Sequence, residues 1–355
     1  MDLLSKENSK ILRGLGIMAI MLHNFMILPE FGLSSCNEMS FSIDKTIAFL
    51  NSLGDGRPFA ELLSFLGWAG VPVFIFLTGY GTAISAPPHY VLDSKSIRYI
   101  KRCWLKLVLL LVPMLLVFGA VDVVHHHYGD LLKRASYLTL LQNLAYPWVK
   151  CTPGSYWYFS VTFQYYLLWV LAGKYLNKSK LALWSVILLV GLWILCIAGP
   201  SELLSVYRHS FTGWFFVFAF GVYMAKYHRS YFETVNTYWW QELIIIIILS
   251  VFSVLMNMTI ESWLFVPLVA LILFFALGLL VMRVKPLAMA FRWIGGLSAS
   301  IFVCHAFIKG VIKDIGFRYT DNMWVLVVVY VLLTMFLAIA YEKLYRYLLS
   351  YLKVK

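Results

Sequence analysis

The 355-residue chain is apolar and basic: 61% of its residues are hydrophobic, 13% are charged, and its formal net charge is +12. A soluble domain carries about 25% charged residues, so this composition excludes a chain of ordinary soluble globules. It does not favour a nucleic-acid-binding protein either, because the basic residues lie in short segments between apolar runs, which is the pattern of a membrane protein.

Ten apolar runs follow one another along the chain, and each is close to the ~20 residues that a membrane-spanning helix needs. In chain order, the predicted spans are 11–28, 63–84, 104–123, 155–173, 181–199, 211–227, 241–259, 264–282, 297–313 and 323–342. The first run follows Lys6 and Lys10 and lacks the small-residue cleavage site of a signal peptide, so we interpret it as a span. The sequence therefore predicts an all-α fold, a polytopic membrane helix bundle of about ten transmembrane helices that forms a single domain over 1–355.

Lysine and arginine predict the orientation of this bundle. They cluster at both ends of the chain and in every second connection between spans, including 95–102, 174–180, 226–229 and 283–292. A bundle of ten spans places all of these segments on one face, which the positive-inside rule makes cytoplasmic. Both termini are therefore predicted to be cytoplasmic. The connection at 314–322 departs from the trend, because basic and acidic residues are mixed around it.

Two long connections, 29–62 and 124–154, fall on the opposite face, where they could form a lid or part of a substrate site. They contain Cys36 and Cys151, the two cysteines that the predicted topology places outside the cytoplasm. A disulfide between them requires Cα atoms within about 7 Å in an oxidising compartment. The alternative is two free thiols in unrelated loops.

Ionisable side chains inside a membrane are costly and are often functional. Of the eight histidines, only His23 and His305 fall within predicted spans, and the spans contain no pair of carboxylates for acid/base chemistry. A neutral imidazole suits a general base, because its ordinary pKa of about 6.5 is close to working pH. The alternative is a structural role, in which each histidine bridges to a neighbouring helix.

Arg13 lies at the cytoplasmic end of the first span, beside Gly14 and Gly16. It is either a topological anchor that reaches the headgroups or a clamp for the phosphates of a donor. A helix rises 1.5 Å per residue, so Arg13 and His23 are separated by ~15 Å, about half of the hydrocarbon core. That separation suits a donor with phosphates at the surface and a reactive end at depth.

Metal ligands are not indicated by the sequence. No Cys/His spacing is typical of zinc, and the triplet at 125–127 consists of consecutive histidines, whose side chains do not converge on one ion. We therefore predict no metal site. Arg208 and His209 precede the sixth span on the outer side, where they would meet either a sugar or lipid headgroups.

Four segments resemble the acyltransferase 3 family of ten-helix membrane proteins, which includes O-acetyltransferases of bacterial surface polysaccharides and of peptidoglycan. They are the Arg-Gly…His segment at 12–24, Gly-Val-Pro-Val-Phe-Ile-Phe-Leu-Thr-Gly-Tyr at 70–80, the basic start of the third helix around Arg98, Arg102 and Lys106, and Ser-Ile-Phe-Val-Cys-His at 300–305. Tyr156 and Trp157, at the start of the fourth helix, also fit the family pattern.

The resemblance implies that this chain transfers an acyl group, with acetyl expected first, from a cytoplasmic acyl-CoA to a hydroxyl of an envelope carbohydrate. The roles it implies are catalytic for His23, Asn24 and His305, donor-binding for Arg13, Arg102 and Lys106, and substrate-binding for Tyr156, Trp157 and Arg208. Acyl-CoA would be a co-substrate, with no permanently bound cofactor. The expected partners are the lipid bilayer of the inner membrane, the donor and the carbohydrate, with no nucleic acid, and either a monomer or an oligomer is compatible with the sequence.

The first motif differs from the family in its spacing. The family has ten residues between the arginine and the histidine, and this chain has nine. At ~100° per residue, His23 lies ~80° from the face of Arg13, and Asn24 takes the aligned position. A π-bulge or a distortion at the adjacent glycines would restore the alignment of His23; otherwise Asn24 would orient a substrate or the imidazole.

Two other functions are compatible with the composition. One is a secondary transporter or a flippase for a lipid-linked glycan or small molecule, although Gly/Pro-broken helices do not recur in matching halves of the chain. The other is acyl transfer by the mechanism of a different family of membrane acyltransferases, which has a single catalytic histidine. The chains of that family are usually longer.

Overall fold

The structure is a computed structural model that describes residues 2–33, 41–54, 56–85, 93–146, 154–173, 179–233 and 235–353. Within these ranges the fold is all-helical and contains no strand, as the sequence predicts. The helices are α1 (Asn8–Met26), α2 (Ile43–Ser52), α3 (Pro58–Leu66), α4 (Val71–Ser85), α5 (Ser94–Val124), α6 (Tyr128–Ser136), α7 (Trp157–Ala172), α8 (Ser179–Ala198), α9 (Ser201–His209), α10 (Phe215–Tyr227), α11 (Arg229–Glu233), α12 (Trp239–Met256), α13 (Val266–Arg283), α14 (Lys285–Gly296), α15 (Ser298–Asp314) and α16 (Met323–Tyr351). Short 3₁₀ turns join several of them, including Gly67–Gly70 between α3 and α4.

Five segments of the described chain are long and apolar enough to cross a membrane. They are Pro58–Ser85, Ser94–Val124, Trp239–Met256, Val266–Arg283 and Met323–Tyr351, and each contains or closely matches a predicted span. A sixth candidate is the pair formed by α14 and α15, which is bent by 75° at its break. The other four predicted spans coincide with α1, α7, α8 and α10, which are not among these candidates.

The surface of α12 shows why these helices belong in lipid. Only 11% of its apolar window is buried within the structure. Ile247 and Ile248 are 62% and 59% exposed, in the middle of a helix that carries no charge after its first turn. Such a continuous apolar surface is unfavourable in water and is the expected exterior of a spanning helix. Several helices of this kind support a multi-pass membrane protein.

The contacts within the chain divide it into two compact units. The first comprises residues 1–77 and 227–339, and the second comprises residues 78–226 and 340–355. Both units are therefore discontinuous in sequence, and α4 and α16 each contribute residues to both.

In the first unit, α1 is the central helix. It packs against α3, the 67–70 turn, α13, α14 and α15. Tyr330 of α16 stacks on Phe25 at 4.1 Å between ring centroids, and its hydroxyl donates to the Met21 carbonyl of α1. Gly14, Gly16 and His23 of the first motif are therefore buried among other helices of this unit.

The α12–α13 hairpin of the first unit is fastened by an ion pair. Glu242, in the first turn of α12, is 1% exposed and accepts two hydrogen bonds from Arg283, the last residue of α13. Thr237 donates a third hydrogen bond to the same carboxylate. The buried charge is therefore fully compensated, as a charge at the edge of a membrane requires.

In the second unit, tyrosines attach the end of α16 to α5. The Tyr341 hydroxyl donates to the Leu110 carbonyl at 2.6 Å, and the Tyr345 hydroxyl donates to the Lys106 carbonyl at 3.2 Å. Pro113 lacks the amide proton that would bond to the Leu109 carbonyl four residues earlier, so the bond from Tyr341 lies beside this gap in the helical ladder. The two tyrosine hydroxyls thus add bonds from α16 to the backbone of α5 on the N-terminal side of the proline.

The predicted disulfide concerns residues on which the structure gives no information, since Cys36 and Cys151 lie outside the described ranges. Among the described cysteines, Cys103, Cys196 and Cys304 are free thiols. The pairing of Cys36 with Cys151 stays a prediction.

Candidate functional site

The glycines of the first motif bring the backbone of α1 into contact with α14. A side chain on Gly14 would overlap the carbonyl oxygen of Phe291, and a side chain on Gly295 would overlap the carbonyl oxygen of Lys10. Gly14 and Lys10 are one helical turn apart, so they lie on one face of α1. Two glycines, one on each helix, are therefore what permits this close approach.

A second face of α1 meets the 67–70 turn in the same way. A Cβ atom on Gly70 would overlap the carbonyl oxygen of Gly16, and one on Gly67 would lie 2.6 Å from the Cβ of His23. Gly16 and His23 are seven residues apart, which is two helical turns. This face of α1 therefore places His23 directly against the segment that joins α3 to α4.

His23 is 1% exposed, and its Nδ1 lies 3.2 Å from the carbonyl oxygen of Leu63 in α3. A backbone carbonyl can only accept a hydrogen bond, so this contact requires the proton on Nδ1. In the neutral ring the lone pair then resides on Nε2. The Leu63 carbonyl thus fixes the tautomer that makes Nε2 the basic nitrogen.

The segment that faces His23 also carries buried aromatic and polar side chains. Trp68 stacks on Trp263 with 5.8 Å between ring centroids, and Phe41 packs against both indoles. Ser64 and Trp68 are each 1% exposed. These residues have no distinctive signal in the sequence, although Ser64 and Trp68 are four residues apart just before the second motif.

Arg13 and Asn24 do not share the face of α1 that carries His23. The helix is α-helical at every residue from Asn8 to Met26, so no π-bulge restores the family's spacing, and Arg13 stays ~80° from His23. Arg13 is half-buried. The amide of Asn24 donates to the Ile20 carbonyl at 2.9 Å, which directs it to the backbone of its own helix.

His305 lies in α15, which packs against α1, and it is 1% exposed. Its Nδ1 is 2.7 Å from the Phe302 carbonyl, one turn earlier in the same helix. The same reasoning as for His23 places the proton on Nδ1 and the lone pair on Nε2. The two predicted catalytic histidines therefore belong to neighbouring helices of one unit, and each is oriented by a backbone carbonyl.

Arg292 is a further basic residue near the N-terminal end of α1, and the sequence indicates it only as part of the basic segment 283–292. It lies on α14, and its guanidinium donates to the Asn8 side chain at 3.2 Å. Gly295 and Gly296 follow Arg292 in the sequence. Such a pair of small residues is the feature that could have indicated a close approach of α14 to another helix.

The two other predicted donor-binding residues lie on α5, in the second unit. Arg102 is exposed and Lys106 is half-buried. Together with Arg98 they are spaced four residues apart and form one stripe along the helix. α5 has 31 residues, more than the ~20 that span the hydrocarbon core, so its basic first turns extend beyond it.

The structure brings two of the three predicted substrate-binding residues together in the second unit. Trp157 stacks on Trp214 at 5.5 Å, and the indole N–H of Trp214 donates to the Arg208 carbonyl at 2.8 Å. Arg208 is 2% exposed. The ring of Tyr156 points elsewhere, against Tyr137 and Phe118.

A network of buried amides lies next to the corner formed by Trp157, Trp214 and Arg208. Gln164 donates to Asn143 at 2.5 Å and accepts from the Phe211 amide at 3.1 Å. Asn143 in turn donates to the His209 carbonyl, and the His209 ring packs edge-on against Trp157. Asn143 and Gln164 could not be predicted from the sequence, because isolated amides in an apolar sequence have no periodic signal.

One group of possible metal ligands exists among the described residues. Ligand atoms of Asp122, His127 and Asp130 lie within 4.8 Å of one another. However, Arg134 donates to both carboxylate oxygens of Asp122, and the hydrogen bond from Lys133 holds the pKa of Asp130 below its ordinary value. Both carboxylates already face cations, which disfavours a metal ion here.

A family model described as an acyltransferase domain matches residues 7–343. The chain belongs to the acyltransferase 3 family. The match runs from just before α1 into α16, so acyltransferase 3 membership covers nearly the whole chain and supports an acyltransferase-type function. No curated protein and no solved structure matches the chain.

The four segments that resemble the acyltransferase 3 family all lie within this match. In the first unit, the structure explains the glycines of two of them: Gly14 and Gly16 allow contact on two faces of α1, and Gly70 is one of the partners. These glycines hold His23 against α3. The family motif is therefore, in part, a packing motif that orients the histidine.

Proposed function

We propose that this chain is an integral membrane acyltransferase that transfers an acyl group, most simply acetyl, from cytoplasmic acyl-CoA to a hydroxyl of an envelope carbohydrate. Family membership supports the acyltransferase chemistry. The single observation that carries the mechanism is the buried His23, whose Nδ1 faces the Leu63 carbonyl so that Nε2 is the basic nitrogen.

In this mechanism His23 is the general base. Its Nε2 removes the proton from the acceptor hydroxyl while the hydroxyl oxygen attacks the thioester carbonyl. The C–S bond then breaks, and the CoA thiolate leaves with the proton from the imidazolium. The Leu63 carbonyl accepts from Nδ1–H throughout, so it stabilises the imidazolium that forms between the two proton transfers.

Alternatively, Nε2 itself carries the acyl group transiently. In this proposal His305 and Asn24 assist the base or position the substrate.

The donor would be held by basic residues. In the first unit, Arg13 is the candidate for a phosphate clamp, and in the second unit the α5 stripe offers Arg102 and Lys106. A guanidinium binds a phosphate through two parallel hydrogen bonds, whereas an ammonium acts as a point charge. Acyl-CoA serves as a co-substrate, with no permanently bound cofactor.

This assignment of Arg13 leads to a testable expectation. Arg13→Ala should raise the KM for acetyl-CoA by about tenfold or more, and Arg13→Lys should recover only part of the loss, since a hydrogen bond to a charged group contributes about 1.5–3 kcal/mol. The measurement is the dependence of thioester cleavage on acetyl-CoA concentration with purified protein. Equal, wild-type KM values for both variants would mean that Arg13 is a topological anchor.

The residues that the family resemblance assigns to substrate binding lie in the second unit: Trp157 and Arg208, joined through Trp214, with Tyr156 adjacent in sequence. Indole faces and guanidinium or amide donors are groups that bind carbohydrates. The buried amides Asn143 and Gln164 belong to the same corner and keep it rigid.

We further propose that ten spans cross the inner membrane of a bacterial cell with both termini in the cytoplasm. The alternation of basic connections supports this arrangement, as do the candidate spans already described. In this proposal the helices α1, α7, α8 and α10 supply the other four spans.

Two experiments test the function. Purified protein in lipid nanodiscs should cleave acetyl-CoA in the presence of a carbohydrate acceptor. A secondary transporter or flippase would move its substrate without cleaving the thioester. Mass spectrometry of envelope glycans from cells with and without the protein should show a difference of one acyl group per modified sugar, and identical spectra would contradict the acceptor class.

A further inference from the structure

Two polar atoms on the segment that packs against His23 are buried without a hydrogen-bond partner. They are the hydroxyl oxygen of Ser64 and the indole nitrogen of Trp68, and both side chains are 1% exposed. Buried polar groups are nearly always hydrogen-bonded, because leaving one unpaired costs the free energy of its lost hydration. Two such atoms on one short segment therefore need an explanation.

Their position relates them to the proposed base. Ser64 follows Leu63, whose carbonyl contacts the His23 ring, and Trp68 follows Gly67, which abuts the His23 Cβ. Residues 64 and 68 are one helical turn apart and lie on one side of the segment. The two unpaired atoms therefore belong to residues that directly follow the two positions against which His23 packs.

The chemistry of the two groups restricts the missing partner. An indole N–H can only donate a hydrogen bond, whereas a serine hydroxyl can donate or accept. The partner must therefore offer an oxygen acceptor to Trp68, which excludes a ligand with only ammonium groups. Trp68 is also supported from behind by its stack on Trp263, so its ring is fixed in place.

We propose that Ser64 and Trp68 form the acceptor subsite, in which they hold neighbouring hydroxyls of a sugar ring while His23 deprotonates the hydroxyl to be acylated. The inference rests on the proposed function and adds the residues that position the acceptor. A polyhydroxylated ring presents several oxygens at close spacing, and each can accept from Trp68 or exchange a hydrogen bond with Ser64.

The test uses Ser64→Ala and Trp68→Phe, which remove the polar atoms and keep most of the side-chain volume. Ser253→Ala is the matched control, because Ser253 is another buried serine of the same unit with an unpaired hydroxyl, on α12, which packs chiefly on α13. The probes are the methyl glycosides of glucose, galactose, mannose and N-acetylglucosamine. Two quantities are measured in nanodiscs: the KM of the glycoside in acetyl transfer, and cleavage of acetyl-CoA by water without glycoside.

We expect each subsite variant to raise the KM of the best glycoside about fivefold to tenfold, the effect of one lost hydrogen bond, while cleavage by water is unchanged. Ser253→Ala should change neither quantity. A KM that does not exceed that of the control would overturn the proposal. An equal loss in both quantities would also overturn it, because it would indicate damage to the base or the donor site.

A binding measurement separates failure of the subsite from failure of the proposed function. A glycoside that binds the folded protein raises its Tm. If wild type cleaves no thioester but a glycoside raises its Tm and Trp68→Phe abolishes that rise, the subsite stands and the acyltransferase assignment fails. If instead the variants lower the Tm without altering the response to glycoside, a structural water occupies the position and the subsite proposal is wrong.

Discussion

His23→Ala is expected to lower the rate of acyl transfer by about 10²- to 10⁴-fold, which is the contribution of a positioned general base. The expectation follows from the burial of the ring and from the Leu63 carbonyl, which places the lone pair on Nε2. The measurement is turnover of acetyl-CoA with acceptor by purified protein at matched concentration.

Two further variants distinguish chemistry from packing. Because His23 packs against Gly67, alanine leaves a cavity, whereas His23→Gln fills most of the space but supplies no base. Both variants should therefore be inactive, and His23→Gln should keep a Tm close to that of wild type. His305→Ala should lower the rate of acyl transfer less than His23→Ala does. An active His23→Gln variant, or a larger loss in His305→Ala, would transfer the role of base to His305.

Gly295→Ala is expected to disrupt the contact between α14 and α1. The added methyl group would overlap the Lys10 carbonyl oxygen, which belongs to the backbone and cannot move aside as a side chain would. Overpacking of this kind costs about 1–3 kcal/mol or more, which exceeds the ~1 kcal/mol that alanine gains over glycine in a helix. A lower Tm in nanodiscs and a reduced transfer rate should follow together.

The neighbouring glycine provides the control. A Cβ atom on Gly296 meets nothing within 4 Å, so Gly296→Ala should be neutral or slightly stabilising. The two variants have the same composition and differ by one position in one helix. If both have the same Tm, the close approach of α1 and α14 is not present in the folded protein.

Composition and hydropathy were sufficient to predict the helical fold, because twenty-residue apolar runs have few other solutions. The break at Leu297 could not be predicted in the same way. The sequence at 297–313 indicates a span, but α14 before it is amphipathic and lies at 75° to α15. The position of α14 depends on the contacts of Gly14 and Gly295, which join residues far apart in the chain.

For the candidate site, the rarity of ionisable groups in the spans was enough to select His23 and His305. Nothing in the sequence indicates that Leu63 orients His23, because a backbone carbonyl is present at every residue. Ser64 and Trp68 were missed for a related reason. A serine and a tryptophan are ordinary in a membrane helix, and only the structure shows that their polar atoms are unpaired.

The backbone contacts on two faces of α1 have a consequence for how the protein responds to its membrane. Helices usually adapt to bilayers of different thickness by tilting or kinking. Here a shift of α1 by one residue along its axis would push side chains into the carbonyls that now face Gly14 and Gly16. In a thinner or thicker bilayer, α1, α14 and the 67–70 turn must therefore move as one body. The depth of His23 below the headgroups will change, but its alignment with Leu63 will not.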